Sequence, residues 1–519
     1  MNQGNHAPRH VGFVRIVAIL AVLLFVGPAS ANHQVAALVD PIVEAAESDA
    51  CTFGGVSLTI ACPTWTDAYN GQGSGTDYAL KGVLSADGSR YFVVANSQAS
   101  ASRNDLVTTA YDTSTGDRVW SARHDGGANA YARNVALSPD ESLVYALTMV
   151  QRSQGGWDIQ IVAYDPATGA HQWTATYVGP NTSWHYTSMA GLAFSPDGTR
   201  IYLAGQSIYA NGTGQAIDAI VLVYDALTGA SVSARVYEGV QDFVTSFALS
   251  PDGTRLYLTG SKYLWTPSTP FDRDWTMASI DTASGDVIWN QTYDAAGLYQ
   301  VDQGVALALS SDGSTIYVTG QSYGAGTSED ILTIAYDAAT GATRWISRFD
   351  GTGHDVDRPT AIALSPDGSR VFVTGSSVGW LTGVGYVTLA YDTNDGTQLW
   401  QERYDNSGSA HPDNAKAIAL SPDGDTVVVT GGSSLGAAGE EMGVQTIAYD
   451  VQTGDVVWNA RYFTRAPDAA SITIDPTGTR AYVAGQSYST TTGYDALVIG
   501  YDLPLVKILA DTVNSIGGA

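Results

Sequence analysis

The sequence predicts an all-β fold: an eight-bladed β-propeller built from four-stranded antiparallel blades. Three observations support this prediction. One unit recurs along the chain, and successive copies of its Tyr-Asp signature are 52 to 60 residues apart. Each unit alternates apolar with polar residues and is rich in Val, Ile, Thr and Tyr, as strands are. Radial repetition of four-stranded sheets is how a propeller protects its sheet edges.

One unit contains four strand-like segments. The unit at 361–405 reads "AIALSPDG", "SRVFVTGSS", "GYVTLAYD" and "GTQLWQERYD", with a variable stretch after the second segment. Pro-Asp-Gly and Thr-Gly stand between segments as tight turns, because Gly accepts a positive φ and Asp bonds nearby backbone N–H groups. We therefore predict a meander of strands A, B, C and D in each unit.

The two turn signatures each occur eight times. The A–B turn has its Asp or equivalent at Asp87, Asp140, Asp197, Asp252, Asp312, Asp367, Asp423 and Thr477. The end of strand C is marked by Asp112, Asp165, Asp225, Asp281, Asp337, Asp392, Asp450 and Asp502. Eight copies of both signatures predict eight blades.

The two ends of the repeat region complement each other. The last unit stops at "ALVIGYD" without a strand D, whereas "TWTDAYNG" at 64–71 resembles an isolated strand D such as "RWISRFDG" at 344–351. Trp65 and Tyr69 have the same spacing as Trp345 and Phe349. The N-terminal strand is therefore predicted to complete the last blade. A seven-bladed ring with a spare unit is the alternative, and an open solenoid would give the split blade no purpose.

The N-terminal residues 1–31 read as a signal peptide. Arg9 and Arg15 precede an apolar run at 16–26, which is short for a membrane span, and Ala29-Ser30-Ala31 fits a cleavage site. An uncleaved membrane anchor is the alternative. We expect a secreted, periplasmic or cell-surface protein with an N-terminal extension at 32–62, the propeller at 63–502 and a tail at 503–519.

The chain contains only two cysteines, Cys51 and Cys62, both before the repeats. In an exported chain they most simply form one disulfide that closes a small loop. A two-cysteine metal site is the alternative, although no His lies nearby. The tail has helix-like apolar spacing at Leu505, Leu509, Val513 and Ile516.

The net charge of the 519 residues is −27. This charge argues against nucleic acid as a partner, because such binding depends on Lys and Arg neutralising phosphates. Acidity keeps an exported protein soluble. A specific role in binding cations is the alternative.

The repeated A-x-D-x-x-T-G-x-x-x-W pattern resembles the tryptophan-docking motif of pyrroloquinoline quinone (PQQ) dehydrogenases, which are eight-bladed propellers. The "SPDG…YVTG" half is similar to secreted bacterial PQQ-like repeats of the SBBP type. The resemblance implies that each indole packs between neighbouring blades. The residues at this position are Trp65, Trp120, Trp173, Trp289, Trp345, Trp400 and Trp458, and blade 3 departs from the motif with Ser233.

The resemblance does not extend to catalysis. Those dehydrogenases hold the quinone beneath a disulfide between adjacent cysteines, beside a metal such as calcium, and this chain has no adjacent cysteines. The sequence also lacks H-E-x-x-H and P-loop patterns. We therefore predict no catalytic residue, no metal and no cofactor. A PQQ-dependent dehydrogenase with calcium, or a propeller hydrolase or lyase, is the alternative.

Binding is predicted on the face formed by the B–C and D–A loops, called the loop face below, because these loops vary while the scaffold does not. Four tryptophans in or beside such loops are candidates to contact a protein or a glycan: Trp157, Trp184, Trp265 and Trp380. The alternative is that they pack their own loops. We expect a monomeric binding scaffold.

An aspartate recurs at the start of strand C, at Asp105, Asp158, Asp218, Asp274, Asp330 and Asp495. Such a ring of carboxylates could bind calcium. It could instead cap turns or bond a neighbouring blade, which is the interpretation that we favour.

Overall fold

A computed structural model describes residues 51–52, 63–71, 75–100, 103–152, 155–179, 185–210, 215–263, 272–295, 301–324, 326–380, 383–405, 412–435 and 441–503. The chain forms two compact units, 1–54 and 55–519. In the first, the described part is strand β1 (Cys51–Thr52). The predicted signal peptide, Cys62 and most of the C-terminal tail lie outside the described residues. No helix in the described ranges is long and apolar enough to cross a membrane.

The second unit consists of strands, and consecutive strands pair in the order A–B–C–D. Units 1 and 2 contain β3 (Asp77–Leu84), β4 (Arg90–Ser100), β5 (Arg103–Asp112) and β6 (Arg118–His124), and then β7 (Ala130–Leu137), β8 (Val144–Gln151), β9 (Trp157–Tyr164) and β10 (His171–Tyr177). Unit 3 contains β11 (His185–Phe194), β12 (Arg200–Ala210), β13 (Gln215–Asp225) and β14 (Ser231–Tyr237). Unit 4 contains β15 (Phe243–Leu249), β16 (Arg255–Tyr263), β17 (Arg273–Asp281) and β18 (Val287–Tyr293).

Units 5 to 7 follow the same plan. Unit 5 contains β19 (Gln303–Leu309), β20 (Thr315–Tyr323), β21 (Glu329–Asp337) and β22 (Thr343–Phe349). Unit 6 contains β23 (Asp357–Leu364), β24 (Arg370–Gly379), β25 (Gly383–Asp392) and β26 (Gln398–Tyr404). Unit 7 contains β27 (Asn414–Leu420), β28 (Thr426–Leu435), β29 (Glu441–Asp450) and β30 (Val456–Phe463). Unit 8 contains β31 (Arg465–Ile474), β32 (Arg480–Ser489), β33 (Gly493–Asp502) and β2 (Pro63–Tyr69). These four-stranded antiparallel meanders form a β-propeller, as the sequence predicts.

The N-terminal strand β2 completes the last unit. It pairs antiparallel with β33, with Trp65 opposite Gly500. It also bonds the first unit, because Arg118 forms an ion pair with Asp67 at 2.6 Å. The series of units therefore closes on itself, through a strand that the isolated repeat at 64–71 predicts.

The apolar core lies between neighbouring units. Strands B and C are buried on both faces, as in β21, whereas strand D alternates between half-buried and exposed residues, as in β2. Ile331 and Trp345 of unit 5 pack with Val371 and Leu389 of unit 6 in one buried cluster. Every unit thus stabilises the next through apolar burial.

The A–B and C–D turns lie together at one end of the strands. In unit 1 the Thr113 hydroxyl of the C–D turn donates to the carbonyl oxygen of Gly88 in the A–B turn at 2.7 Å. Gly88 has φ 69°, a conformation that favours glycine. Hydrogen bonds from Ser85 and Ser89 lower the pKa of Asp87 to about 2. The variable B–C and D–A loops leave from the other ends of the strands and form the loop face.

Candidate functional site

The tryptophans of strand D join neighbouring units. The indole of Trp345 lies against Gly396 in the C–D turn of unit 6, where a Cβ atom would come within 2.5 Å of the ring. Its Nε1–H donates to the Thr393 carbonyl oxygen at 2.9 Å. Four others donate to the equivalent carbonyl: Trp65 to Thr113, Trp120 to Pro166, Trp289 to Ala338 and Trp400 to Val451. These residues are packed and hydrogen-bonded, so their surroundings are those of structural side chains.

The remaining two members of this set make ring contacts. Trp173 lies against Gly229 of unit 3, and the carbonyl of Ala226 that it faces accepts instead from the Tyr145 hydroxyl at 2.9 Å. Trp458 packs against Tyr501 of unit 8, with ring centroids 6.3 Å apart.

The four tryptophans predicted to bind a partner fall into different settings. Trp157 is half-buried and packs against Tyr131, with ring centroids 5.3 Å apart. Trp380 follows strand β24 and is 68% exposed. Trp184 and Trp265 lie outside the described residues. Of the two described candidates, only Trp380 presents most of its indole to solvent.

The backbone beside Trp380 is hydrogen-bonded to the loop at 350–356 and to Asp357, which follows it. The N–H of Gly353 donates to the carbonyl of Val378 at 3.2 Å, and the N–H of Val378 donates to Asp357 Oδ1 at 3.2 Å. The same loop carries His354, whose Nδ1 lies 2.6 Å from Asp350 Oδ2. Trp380 is therefore an exposed residue whose neighbouring backbone is hydrogen-bonded to a loop that carries Asp350 and Asp355.

The aspartates that begin strand C are nearly all engaged within their own unit. In unit 5, Asp330 accepts from Arg348 Nη1 at 2.9 Å and from the Thr327 hydroxyl at 3.1 Å. The corresponding partners elsewhere are Arg123 for Asp105, Arg152 for Asp158, Tyr209 for Asp218 and Thr492 for Asp495. These contacts fit a structural role for the five residues.

Asp274 differs from the other five. It is 6% exposed, and its Oδ1 is buried without a hydrogen-bond partner among the described residues. Burial, followed by the charges of Asp294, Asp272 and Asp302, raises its pKa to about 6. Thr292 stands where unit 5 has Arg348, three residues after the docking tryptophan, so strand D supplies no cation.

A second recurrent set of aspartates begins strand A, and our sequence analysis did not identify it. Its members are Asp77, Asp242, Asp302, Asp357 and Asp413. Asp357 accepts from the N–H of Gly351 at 2.5 Å and from Val378, so it ties the D–A loop to the end of strand B. In the sequence, each of these five aspartates stands two residues before the small or apolar residue that begins its strand-A run, and this spacing could have identified the set.

Asp330, Asp350 and Asp357 come together between units 5 and 6. One oxygen of each lies within 4.8 Å of the others. Asp330 Oδ1 and Asp350 Oδ1 are buried without a hydrogen-bond partner in the described part of the chain. Burial raises the pKa of Asp330 and of Asp357. These are the described residues best arranged to hold a hard cation such as Ca²⁺, although Arg348 already offsets part of their charge.

The side chains do not fit a quinone site of the dehydrogenase type. In the dehydrogenases that the sequence resembles, the quinone lies beneath a disulfide between adjacent cysteines, whereas the only cysteines of this chain are at 51 and 62, outside the repeats.

Solved structures are similar to this chain at low sequence identity. Sqt1 from Chaetomium thermophilum has a TM-score of 0.52 at 14% identity, over 85% of this chain and 100% of that one. A quinohemoprotein alcohol dehydrogenase from Comamonas testosteroni gives 0.47 at 14% identity, over 85% and 76%. Comparison with curated protein sequences gives no match. The PQQ-like family model described as outer membrane protein assembly factor BamB matches residues 63–246 and 273–498. Because these stretches exceed half of the sequence, the chain belongs to this family of PQQ-like β-propeller repeat proteins.

Proposed function

We propose that this chain is an exported, eight-bladed β-propeller that binds a protein partner through the loop face around Trp380. The eight meanders and the packing of β2 against unit 1 support eight blades in a closed ring. The description of the family as an assembly factor supports a scaffold over an enzyme. The predicted signal peptide supports export.

The exposure of Trp380 carries the proposal. The indole is 68% exposed and offers a large apolar surface for a partner to cover, and tryptophan is enriched among residues that dominate binding energy. The backbone contacts with the 350–356 loop hold it in place, so little conformational entropy is lost when a partner packs on it.

The charge around Trp380 specifies the partner's chemistry. Asp355 is exposed on the adjacent loop, Asp350 lies beside it, and the whole chain carries a net charge of −27. Such a surface attracts a basic segment and steers its approach. We therefore propose a partner segment with an apolar or aromatic residue for the indole and Lys or Arg for the carboxylates.

The test compares two matched variants of the full chain. Wild type, Trp380→Ala and Leu227→Ala are used to capture partners from native cell envelopes, and the captured protein is then purified and its Kd measured. Leu227 is 73% exposed, but it lies in a C–D turn at the other end of the strands. We expect Trp380→Ala to weaken binding at least tenfold and Leu227→Ala to leave it unchanged.

Two outcomes would contradict this proposal. Equal affinity of the Trp380→Ala variant would place the interface elsewhere. Trp380-dependent binding to a glycan, with no protein captured, would assign the same site to carbohydrate.

A catalytic alternative rests on Asp274, whose pKa of about 6 suits a general acid or base in a hydrolase or lyase. If the chain turns over a substrate from a panel of glycosides and uronates, and Asp274→Asn abolishes this turnover, the catalytic alternative would be favoured. For a quinoprotein, reconstitution with PQQ and calcium followed by dye-linked alcohol oxidation is the test, and loss of quinone absorbance on dialysis would end that alternative.

A further inference from the structure

A cavity of about 300 Å³ lies between units 3 and 4. Val221, Val223, Leu256 and Ile280 form apolar walls, and Ser233 and Arg235 of strand D also line it. It adjoins the C–D turn of unit 4, at the opposite end of the strands from the loop that carries Trp380. The cavity is therefore separate from the surface proposed above.

The cavity exists because one docking tryptophan is missing. Ser233 pairs with Val223 in the register where Trp345 pairs with Ala335 and Trp289 with Ser279. A serine side chain cannot fill the volume of an indole, and the extra methyl groups of Val223 recover only part of it. The space that an internal ring occupies at other junctions therefore remains open here.

The hydrogen-bond acceptor for an indole is still present. At five junctions the carbonyl after the turn aspartate accepts from an indole N–H, and at the junction of units 2 and 3 it accepts from the Tyr145 hydroxyl. The equivalent group between units 3 and 4 is the carbonyl of Thr282, which lines the cavity. None of the described residues donates a hydrogen bond to it.

The Arg235 side chain occupies part of the space that a docking tryptophan ring fills at other junctions. A Cβ atom at Gly285 would lie 2.2 Å from Arg235 Nη1, whereas at Gly341 the nearest atoms belong to the Trp289 indole at 2.7 Å. Arg235 is exposed, and it has no ion pair within the described ranges. An exposed guanidinium can swing over an aromatic face or pair with a carboxylate on the ligand.

We propose that this cavity binds a planar aromatic ring of the indole class. The ring lies between the Val223 and Ile280 walls, its N–H donates to the Thr282 carbonyl, and Arg235 covers its outer face. The volume is sufficient, because an apolar cavity of about 150 Å³ already binds benzene. The ring can come from a free small molecule or from a tryptophan of another protein, since both present the same chemistry.

The experiment uses the full chain and three probes: indole, 1-methylindole and indole-3-acetate, measured by calorimetry and ligand-observed NMR. We expect saturable indole binding, at least tenfold weaker binding of 1-methylindole because its N–H is blocked, and stronger binding of indole-3-acetate because of Arg235. No saturable binding of any probe would overturn the proposal, and so would equal affinity for indole and 1-methylindole.

Ser233→Trp should fill the cavity with the chain's own ring and abolish binding, whereas Ser233→Ala should preserve it. Ser233→Phe provides a second filled variant if Ser233→Trp fails to fold. Binding that survives both filled variants would overturn the assignment. A blocked tryptophan peptide that binds tighter than indole would indicate a partner's side chain, and the reverse order a small molecule.

Discussion

Asp274 and Asp330 occupy the same place at the start of strand C, but their neighbours differ. Asp330 receives hydrogen bonds from Arg348 and Thr327. Asp274 has Thr292 in place of the arginine and lies near Asp294 and Asp302, so burial and like charges raise its pKa to about 6. At this position of strand D, a threonine replaces the arginine that pairs with the carboxylate in unit 5.

This difference predicts how Asp274 affects stability. Because its pKa in the folded chain lies above the ordinary value of 3.8, the protonated form is favourable below about pH 4, and this contribution is lost as the pH rises through about 6. At pH 7.5 the buried charge costs about 3 kcal/mol, at 1.36 kcal/mol per pKa unit. We expect Asp274→Asn to raise the free energy of unfolding in urea by about that amount at pH 7.5 and to have little effect at pH 4.

The matched control is Asp105→Asn, which removes the partner of Arg123. This substitution should lower the stability at pH 7.5 because it leaves a cation half-buried and unpaired. A loss of stability for Asp274→Asn at pH 7.5 would contradict the proposed cost of its charge.

The contacts between neighbouring units depend on the pairing of a strand-D indole with the next C–D turn. Trp345 and Ser233 stand at equivalent positions, but one fills a junction and the other leaves a cavity. We expect Trp345→Ala to lower the free energy of unfolding by about 3–5 kcal/mol, as for other buried aromatic residues. Ser233→Ala should change it by less than about 0.5 kcal/mol. Chemical denaturation measures both, and similar effects at the two positions would contradict this account.

The strand-A aspartates hold the loop face in its shape. Asp357 accepts from the N–H groups of Gly351 and Val378, and the latter lies two residues before Trp380. In Asp357→Ala both N–H groups lose their acceptor. We expect their hydrogen exchange to accelerate at least tenfold and partner binding through Trp380 to weaken, while the equivalent change Asp77→Ala in unit 1 leaves that binding intact. Unchanged exchange at Val378 would show that the loop is held by other contacts.

At the scale of the whole molecule, closure depends on one strand. β2 pairs with β33 and also contacts unit 1 through Asp67 and the Trp65 indole, which donates to Thr113 at 3.0 Å. A closed series has no free sheet face at its ends, whereas an open one would expose the apolar faces of units 1 and 8.

A chain that begins at residue 75 lacks this strand. We expect it to lose at least about 4 kcal/mol of stability and to aggregate, because apolar faces between units 8 and 1 become exposed. Light scattering and thermal unfolding test this expectation against a chain that begins at residue 63. Equal stability of the two chains would show that β2 is dispensable for closure.

The strands, the turns and their order are predictable from the sequence, because alternation and turn residues are local and recur from unit to unit, and the Trp-docking pattern recurs in all units except the third. The sequence also determined that β2 belongs to the last unit, since an isolated strand D and a missing one match. The docking tryptophans between units follow from the sequence pattern, whereas the aspartate contacts and the open space at Ser233 are visible only in the tertiary structure. The role of the strand-A aspartates is visible only from the loops to which they are hydrogen-bonded. The pKa of Asp274 depends on carboxylates up to 28 positions away in the chain. Ser233 is visible as a departure in the sequence, but only packing shows that neighbouring side chains leave its space open.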